Sequence, residues 1–307
     1  MSALIGLQCH LCKTPFPAEA TYVCDKCLGP LEPVYDYGAI NLTRAEIESR
    51  PKNLWRYREL LPITGEPRTG FNSGFTPLVR CDRLAKRLGA SEIYIKDDSV
   101  NHPTLSYKDR VVSVAATRAL ELGFSVLACA STGNLANSVA AHAARLGVEC
   151  CVFIPDNLEA GKLLGSAIFN PTILAIAGNY DDVNRLCTQV GDRYGWGFVN
   201  INLRSYYAEG AKTMGFEIVE QLGGATRSIW SRRSPAARCC RASSAACASC
   251  APSGWSRANC RGCMPRRRPD ARRSCTRSTP GWSIPSRCAP TRSRSRLRSA
   301  IPPTATR

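Results

Sequence analysis

The spacing of apolar residues changes character several times between residues 92 and 222. "SEIYIKD" alternates as a strand does, around residues 92–96. From Tyr107, apolar positions recur at helical spacing through "KDRVVSVAATRALELG", with Ser106 as the expected N-cap and Gly123 as the stop. "FSVLACA" reads as a buried strand, and "STGNLANSVAAHAARLG" turns into a second helix ending at Gly147. "VECCVFIP", "TILAIAG" and "GFVNI" read as further strands. "AGKLLGSAIF", "YDDVNRLCTQVGDRYG" and "YAEGAKTMGFEIVEQLG" read as the helices between and after them. Apolar strands alternating with amphipathic helices predict an α/β fold with a doubly wound parallel sheet. Ligands on such sheets bind at the carboxyl ends of the strands. Two loops are expected there: the one before Lys108, and "STGN" at residues 131–134. No G-x-G-x-x-G follows a strand, and no P-loop precedes Lys162, so neither nucleotide fingerprint is supported.

Charge alters this picture only at one end. The formal net charge of +17 would suggest an anionic partner such as nucleic acid. Residues 226–307 carry +18 of it, from 19 Arg against Asp270, and residues 1–225 carry −1. The body is neutral, and the last stretch holds all the charge. No charged-then-apolar leader opens the chain, and no apolar run is long enough to span a bilayer. Thiols rather than disulfides, a cytoplasmic location and no membrane partner are therefore expected.

"CHLCKTPFPAEATYVCDKC" places C-x2-C, eleven residues, then C-x2-C. Cys9, Cys12, Cys24 and Cys27 can supply four thiolates to a tetrahedral zinc, because each two-residue spacer lets a pair turn back around one ion. Four cysteines leave no open position, so the expected role is structural. Cys81, Cys129, Cys150, Cys151 and Cys187 lack this spacing and read as buried thiols. The three histidines, His10, His102 and His142, are expected not to be catalytic.

Lys108 sits where a loop becomes a helix. A lysine can condense with a carbonyl group once its amine is neutral, and a helix start close to other positive charge disfavours protonation. "STGN" offers two hydroxyls, a flexible glycine and an amide just before a helix, where free backbone N–H groups suit a carboxylate. Each motif alone fits a solvated lysine or an ordinary capping turn. Together, on neighbouring strand ends of one sheet, they favour a site.

Residues 75–222 resemble the pyridoxal-phosphate enzymes of the tryptophan-synthase-β type, and within them the threonine synthases. The stretches that carry the resemblance are "GFTPLVRCDRLAKRLG", "IYIKDDSVNHPTLSYKDR", "ASTGNLANSVAAHAARLG" and "NINLRSYYAEGAKTMGFEIVEQLG". The cysteine pairs followed by "CLGPLEPVYDY" resemble the amino-terminal extension of one branch of that family. The resemblance implies that Lys108 is the cofactor lysine, with Tyr107 where phenylalanine is usual. It implies that Asn134 bonds the cofactor's ring hydroxyl, that Ser131 and Thr132 hold the substrate carboxylate, and that Arg204 faces substrate phosphate. Leu135 replaces the threonine or serine frequent after that asparagine. The implied reaction converts O-phosphohomoserine and water to threonine and phosphate, with Lys108 as general base, and a homodimer is compatible with it. Another pyridoxal-phosphate enzyme, such as a threonine dehydratase or a cysteate synthase, is the alternative within enzymes. A zinc-ribbon protein with an Arg-rich arm is the rival from another class, and its nucleic-acid complexes would weaken steeply with salt.

The resemblance stops after "EQLGG". Beyond it the chain is Arg, Ser, Ala, Pro and Cys without periodicity, the composition of a disordered basic tail. Back-translation suggests a different origin. "RCAPTRSRSRLRSAIPPTATR", read one base earlier, permits VRPDTIAKSLAIGNPADGYA, and "IWSRRSPAARCCRAS" permits LVAPVAGGTLLPRI. Both resemble what the family carries at these places. The hypothesis is a frameshift between residues 223 and 229, which sequencing the gene across codons 220–232 would confirm or eliminate. It would remove the glycine-rich loop expected to hold the cofactor phosphate and the group facing the pyridine nitrogen, leaving an inactive chain of enzymatic ancestry. The basic tail would then be no nucleic-acid arm. The expected organisation is a zinc ribbon at 1–38, an incomplete pyridoxal-phosphate catalytic region at 39–224, and an out-of-frame tail at 225–307.

Overall fold

A computed structural model describes residues 2–69, 72–157 and 159–224; the expectations for the tail at 225–307 lie outside the described residues. The first 35 residues form an antiparallel sheet of order β2-β1-β3, from β1 (Leu4–Cys9), β2 (Pro15–Phe16) and β3 (Leu31–Tyr35). Two turns beside it share one geometry. The amide of Lys13 donates to the Cys9 carbonyl (3.1 Å), as that of Leu28 does to Cys24 (3.0 Å). Lys13 and Leu28 both take the left-handed conformation, φ 61° and 54°, that folds each cysteine pair back on itself.

Helix α1 (Arg44–Ser49) follows, held at its start by a reciprocal box in which Thr43 and Glu46 bond each other's amides. After a 3-10 helix at Leu54–Leu60 comes a small unit of β4 (Leu78–Arg80), α2 (Asp82–Leu88) and β5 (Tyr94–Lys96). The strand expected at 92–96 is thus present, but it pairs antiparallel with β4 in a separate two-stranded sheet.

The remainder alternates as expected: α3 (Lys108–Glu121), β6 (Val126–Ala130), α4 (Asn134–Leu146), β7 (Glu149–Pro155), α5 (Leu164–Ala167), β8 (Thr172–Ile176), α6 (Tyr180–Tyr194), β9 (Gly197–Phe198), α7 (Arg204–Glu209) and α8 (Lys212–Gln221). The four strands pair in parallel in the order β8-β7-β6-β9. The chain steps outward from β6 to β7 to β8, then returns to lay β9 on the other side of β6. The sheet is doubly wound, and its direction reverses between β6 and β9. Alternate residues of β6 divide between two cores. Leu127 and Cys129 pack with α3, α4 and α7 on one face, while Val126, Ala128 and Ala130 pack with α6 and Phe198 on the other.

Three expected elements differ in extent. "AGKLLGSAIF" makes a 3-10 turn and the single turn α5 rather than a full helix. Strand β9 keeps two residues of "GFVNI", because the Asn200 side chain takes over the pairing: its Oδ1 accepts from the Ala130 amide at 3.2 Å. "YAEGAKTMGFEIVEQLG" breaks into α7 and α8 at Gly210, where a Cβ would sit 2.6 Å from the Arg110 carbonyl oxygen. Close backbone approach of α7 to α3 therefore fixes the break and requires the glycine.

Candidate active site

The Sγ atoms of Cys9, Cys12, Cys24 and Cys27 all lie within 4.8 Å of one another, with Cys9–Cys27 at 3.4 Å and Cys12–Cys24 at 3.5 Å. Bonds of about 2.3 Å to a tetrahedral zinc place sulfurs about 3.8 Å apart, so the four thiols fit that ion. The hydroxyl and amide of Thr14 pull the Cys12 thiol down to about 6, and Cys9 across the cluster pushes Cys27 up to about 12.

Lys108 opens α3 at the end of a loop whose backbone is tied from several sides. Asn101 Nδ2 donates to the Ser106 carbonyl (2.9 Å), and Ser106 Oγ accepts from the Lys108 amide (3.3 Å). Ser106 Oγ thus meets the amide that opens the helix, but the N-cap is Tyr107, which caps with no side-chain bond, and not Ser106 as expected. The buried carboxylate of Asp109 accepts from Thr104 Oγ1 (2.7 Å), from the Thr104 amide (3.0 Å) and from Ser138 Oγ (2.7 Å). Ser138 lies one turn beyond Asn134 on α4. The first turn of α3 is therefore joined to the second turn of α4, and Lys108 and Asn134 open two helices locked side by side. Lys108 Nζ donates to Tyr207 Oη on α7 at 2.6 Å, with the ring centroid 5.3 Å away.

The "STGN" turn leaves the carboxyl end of β6 beside the point where the sheet reverses. Ser131 and Thr132 are half-buried and Asn134 is exposed. Among the described residues no side chain caps the start of α4, which leaves its first amides available to an anion. Tyr180 Oη donates to the Ala130 carbonyl (2.9 Å) and closes the turn from the α6 side. Within α4, Asn137 Oδ1 is buried with no hydrogen-bond partner among the described residues. A lysine amine, uncapped amides and an exposed carboxamide on joined helices make a donor set that fits a ligand with both a carbonyl and an anionic group. Arg204 is the outlier: it opens α7, exposed, and no bond ties its side chain to Lys108 or the turn among the described residues. Sequence reasoning missed Tyr207, Asp109, Ser138 and Asn200. Only the position of Asp109 beside Lys108 could have signalled any of them.

His142 is buried behind this site, its Nδ1 donating to the Ser138 carbonyl (2.8 Å) and its Nε2 2.8 Å from Ser113 Oγ. Burial lowers it to about 4, whereas an unfolded histidine takes its proton near 6.5. Between these values the unfolded chain binds the extra proton, so stability falls as pH drops through that window, by on the order of 3 kcal/mol in full. Burial raises the neighbouring Asp109 carboxyl, which titrates in the opposite sense. The comparison is therefore the difference between wild type and His142→Asn in denaturant melts from about pH 7 to pH 4. The His142-dependent part of the slope should vanish in the variant.

Residues 71–234 match the family described as pyridoxal-phosphate dependent enzyme. The chain is 38% identical over 222 residues to threonine synthase of Methanosarcina acetivorans, covering 70% of this chain and 53% of that protein. It is 39% identical over 220 residues to threonine synthase of Methanocaldococcus jannaschii, covering 70% and 54%. It spans about half the length of the curated relatives it matches. Among solved structures, apo diaminopropionate ammonia lyase of Escherichia coli is similar at 23% identity and a TM-score of 0.46, over 52% of this chain and 50% of that one. No helix among the described residues is long and apolar enough to cross a membrane. With its lysine at the head of α3 and an uncapped turn at the point where the sheet reverses, the chain belongs to the pyridoxal-phosphate dependent enzymes.

Proposed function

We propose that this chain carries the catalytic-lysine region of a threonine synthase, a lyase that converts O-phospho-L-homoserine and water to L-threonine and phosphate. The carrying observation is the bond from Ser138 Oγ to Asp109, which ties the first turn of α3, next to Lys108, to α4 one turn beyond Asn134. The similarity to threonine synthases along 70% of the chain supports the same reading. Lys108 holds the cofactor and Asn134 its ring hydroxyl. Ser131, Thr132 and the free amides of α4 take the substrate carboxylate, and Arg204 the substrate phosphate. Pyridoxal phosphate, when bound, supplies an electron sink for the substrate carbanion. Lys108 Nζ removes protons from the α and β carbons, and the hydrogen-bonded loop before it keeps that amine in place.

Residues 225–307 are the out-of-frame continuation of this enzyme, and residues 1–38 its zinc ribbon. Nine free thiols among the described residues suit a reducing, cytoplasmic setting. The purified protein should hold one zinc, and Cys24→Ser should lose it and lower the melting temperature. Metal analysis showing no zinc, or zinc unchanged in Cys24→Ser, would end the ribbon reading.

The test of function uses a form whose frame is restored from residue 223. It should release phosphate and threonine from O-phospho-L-homoserine, and this chain should release neither. Ammonia and 2-oxobutanoate from threonine, without phosphate release, would instead identify a dehydratase.

A further inference from the structure

We infer that Tyr207 is a second catalytic residue: its phenol oxygen accepts a hydrogen bond from the Lys108 ammonium and so strengthens Lys108 as a base. The inference rests on the reading of Lys108 as the general base. The Nζ–Oη distance of 2.6 Å is that of a charge-assisted bond. When Lys108 takes a proton from the substrate, a C–H bond breaks, its electron pair stays on the substrate, and an N–H bond forms. A positive charge appears on Nζ, and Tyr207 Oη sits where it develops. Pre-placed groups of this kind act most effectively because nothing has to reorganise as the charge forms.

The surroundings of α7 make that placement rigid. Ser205 Oγ donates to the Leu31 carbonyl (2.8 Å), and Tyr206 Oη to the Glu19 carbonyl (2.7 Å). Tyr35 Oη donates to Glu209 Oε2 (2.6 Å), which Lys212 Nζ also meets at 2.5 Å. The Arg118 guanidinium stacks over the Tyr206 ring at 5.1 Å. On the remaining side Gly210 abuts the Arg110 backbone. The tyrosine that meets Lys108 thus stands on a short helix fastened to the amino-terminal sheet and to α3 together. A merely space-filling tyrosine would not require its hydroxyl.

The test needs no cofactor, and every lysine lies before residue 226. Trace acetic anhydride is given to the full chain across pH, and acetylation of Lys108 is read by mass spectrometry. Tyr207→Phe should raise Lys108 labelling about threefold to tenfold near pH 8, because the ammonium loses its acceptor. The two labelling curves should meet only on their high-pH plateau, which wild type reaches later, because a tyrosine ionises at about pH 10 and its phenolate holds the ammonium more firmly. A gain at every pH would mean easier access alone and would overturn the proposal, as would no change. Lys108→Met gives the reciprocal measurement without relying on the phenylalanine variant folding. Loss of the adjacent cation should slow nitration of Tyr207, the opposite of what a smaller neighbour would do by opening access. Unchanged or faster nitration refutes the pairing. Failure here with cofactor still trapped on Lys108 would sink only the role of Tyr207. Failure of cofactor trapping in the frame-restored protein with these shifts intact would sink the reading of Lys108 as the cofactor lysine.

Discussion

Borohydride reduction of the frame-restored protein with pyridoxal phosphate should leave the label on Lys108, and Lys108→Ala should lose turnover by about three orders of magnitude or more. The competitors differ in their surroundings. Lys212 is buried and paired with Glu209, and Lys162 is exposed beside Glu159. Lys96 is the subtler case, because burial lowers its ammonium towards neutrality. Its Nζ, however, is held by Glu217 (2.7 Å), by Gln221 (2.8 Å) and by the Thr76 carbonyl (2.5 Å). Peptide mapping that finds the label on Lys162, Lys212 or Lys96 would remove the assignment.

Arg110→Met should destabilise the protein by about 3–5 kcal/mol, the range for removing one partner of a buried ion pair. Arg110 is fully buried two residues after Lys108. It bonds Glu217 in a fork, Asp98 through Nε and Nη2 (both 2.8 Å), Thr76 Oγ1 (2.9 Å) and Thr213 Oγ1 (3.2 Å). With Lys96 the set holds two cations and two carboxylates, so it is neutral only while complete. The set joins β5, α3 and α8. For a body of this size the melting temperature should fall by about 6–20 °C. Adding Glu217→Met should recover part of the loss, because one stranded carboxylate goes with it, although Lys96 then lacks its partner. A drop below about 1 kcal/mol, as for a surface pair, would show that the network contributes little.

The strands at 126–130, 149–155 and 172–176 were legible as short apolar runs, the first buried on both faces, and the helices α3, α4 and α6 from the longer helical spacing of their apolar positions. Gly123, Gly147 and Gly195 mark where those helices stop, each with positive φ. What escaped was set by contacts distant in sequence. Nothing in the period of "YAEGAKTMGF" reveals that Gly210 must clear the Arg110 backbone, so one helix was expected where two form. The same holds for the site. Ser131 and Asn134 were placed from the end of β6, whereas the strand before Lys108 belongs to the separate two-stranded sheet, so Lys108 lies at the head of α3 and not at a neighbouring strand end of the same sheet as expected. Tyr207 was hidden in "SYYAEG", where only the packing of α7 decides that Tyr206 turns to Glu19 and Tyr207 to Lys108.

The amino-terminal sheet shares one apolar cluster with α3 and α7: Leu7, Cys9, Cys24 and Leu31 pack among Val112, Ala116, Leu203 and Tyr206. Its ties reach far along the chain, 174 residues from Leu31 to Ser205 and 187 from Glu19 to Tyr206. At about 5–20 residues per second on the ribosome, the sheet emerges roughly 10–40 s before the helix that completes it. Until α7 emerges, the part of that face covered by Leu203 and Tyr206 stays open, which exposes it to misassembly. Nascent chains halted before residue 200 should therefore keep this face open to chaperones, and chains released past residue 210 should not.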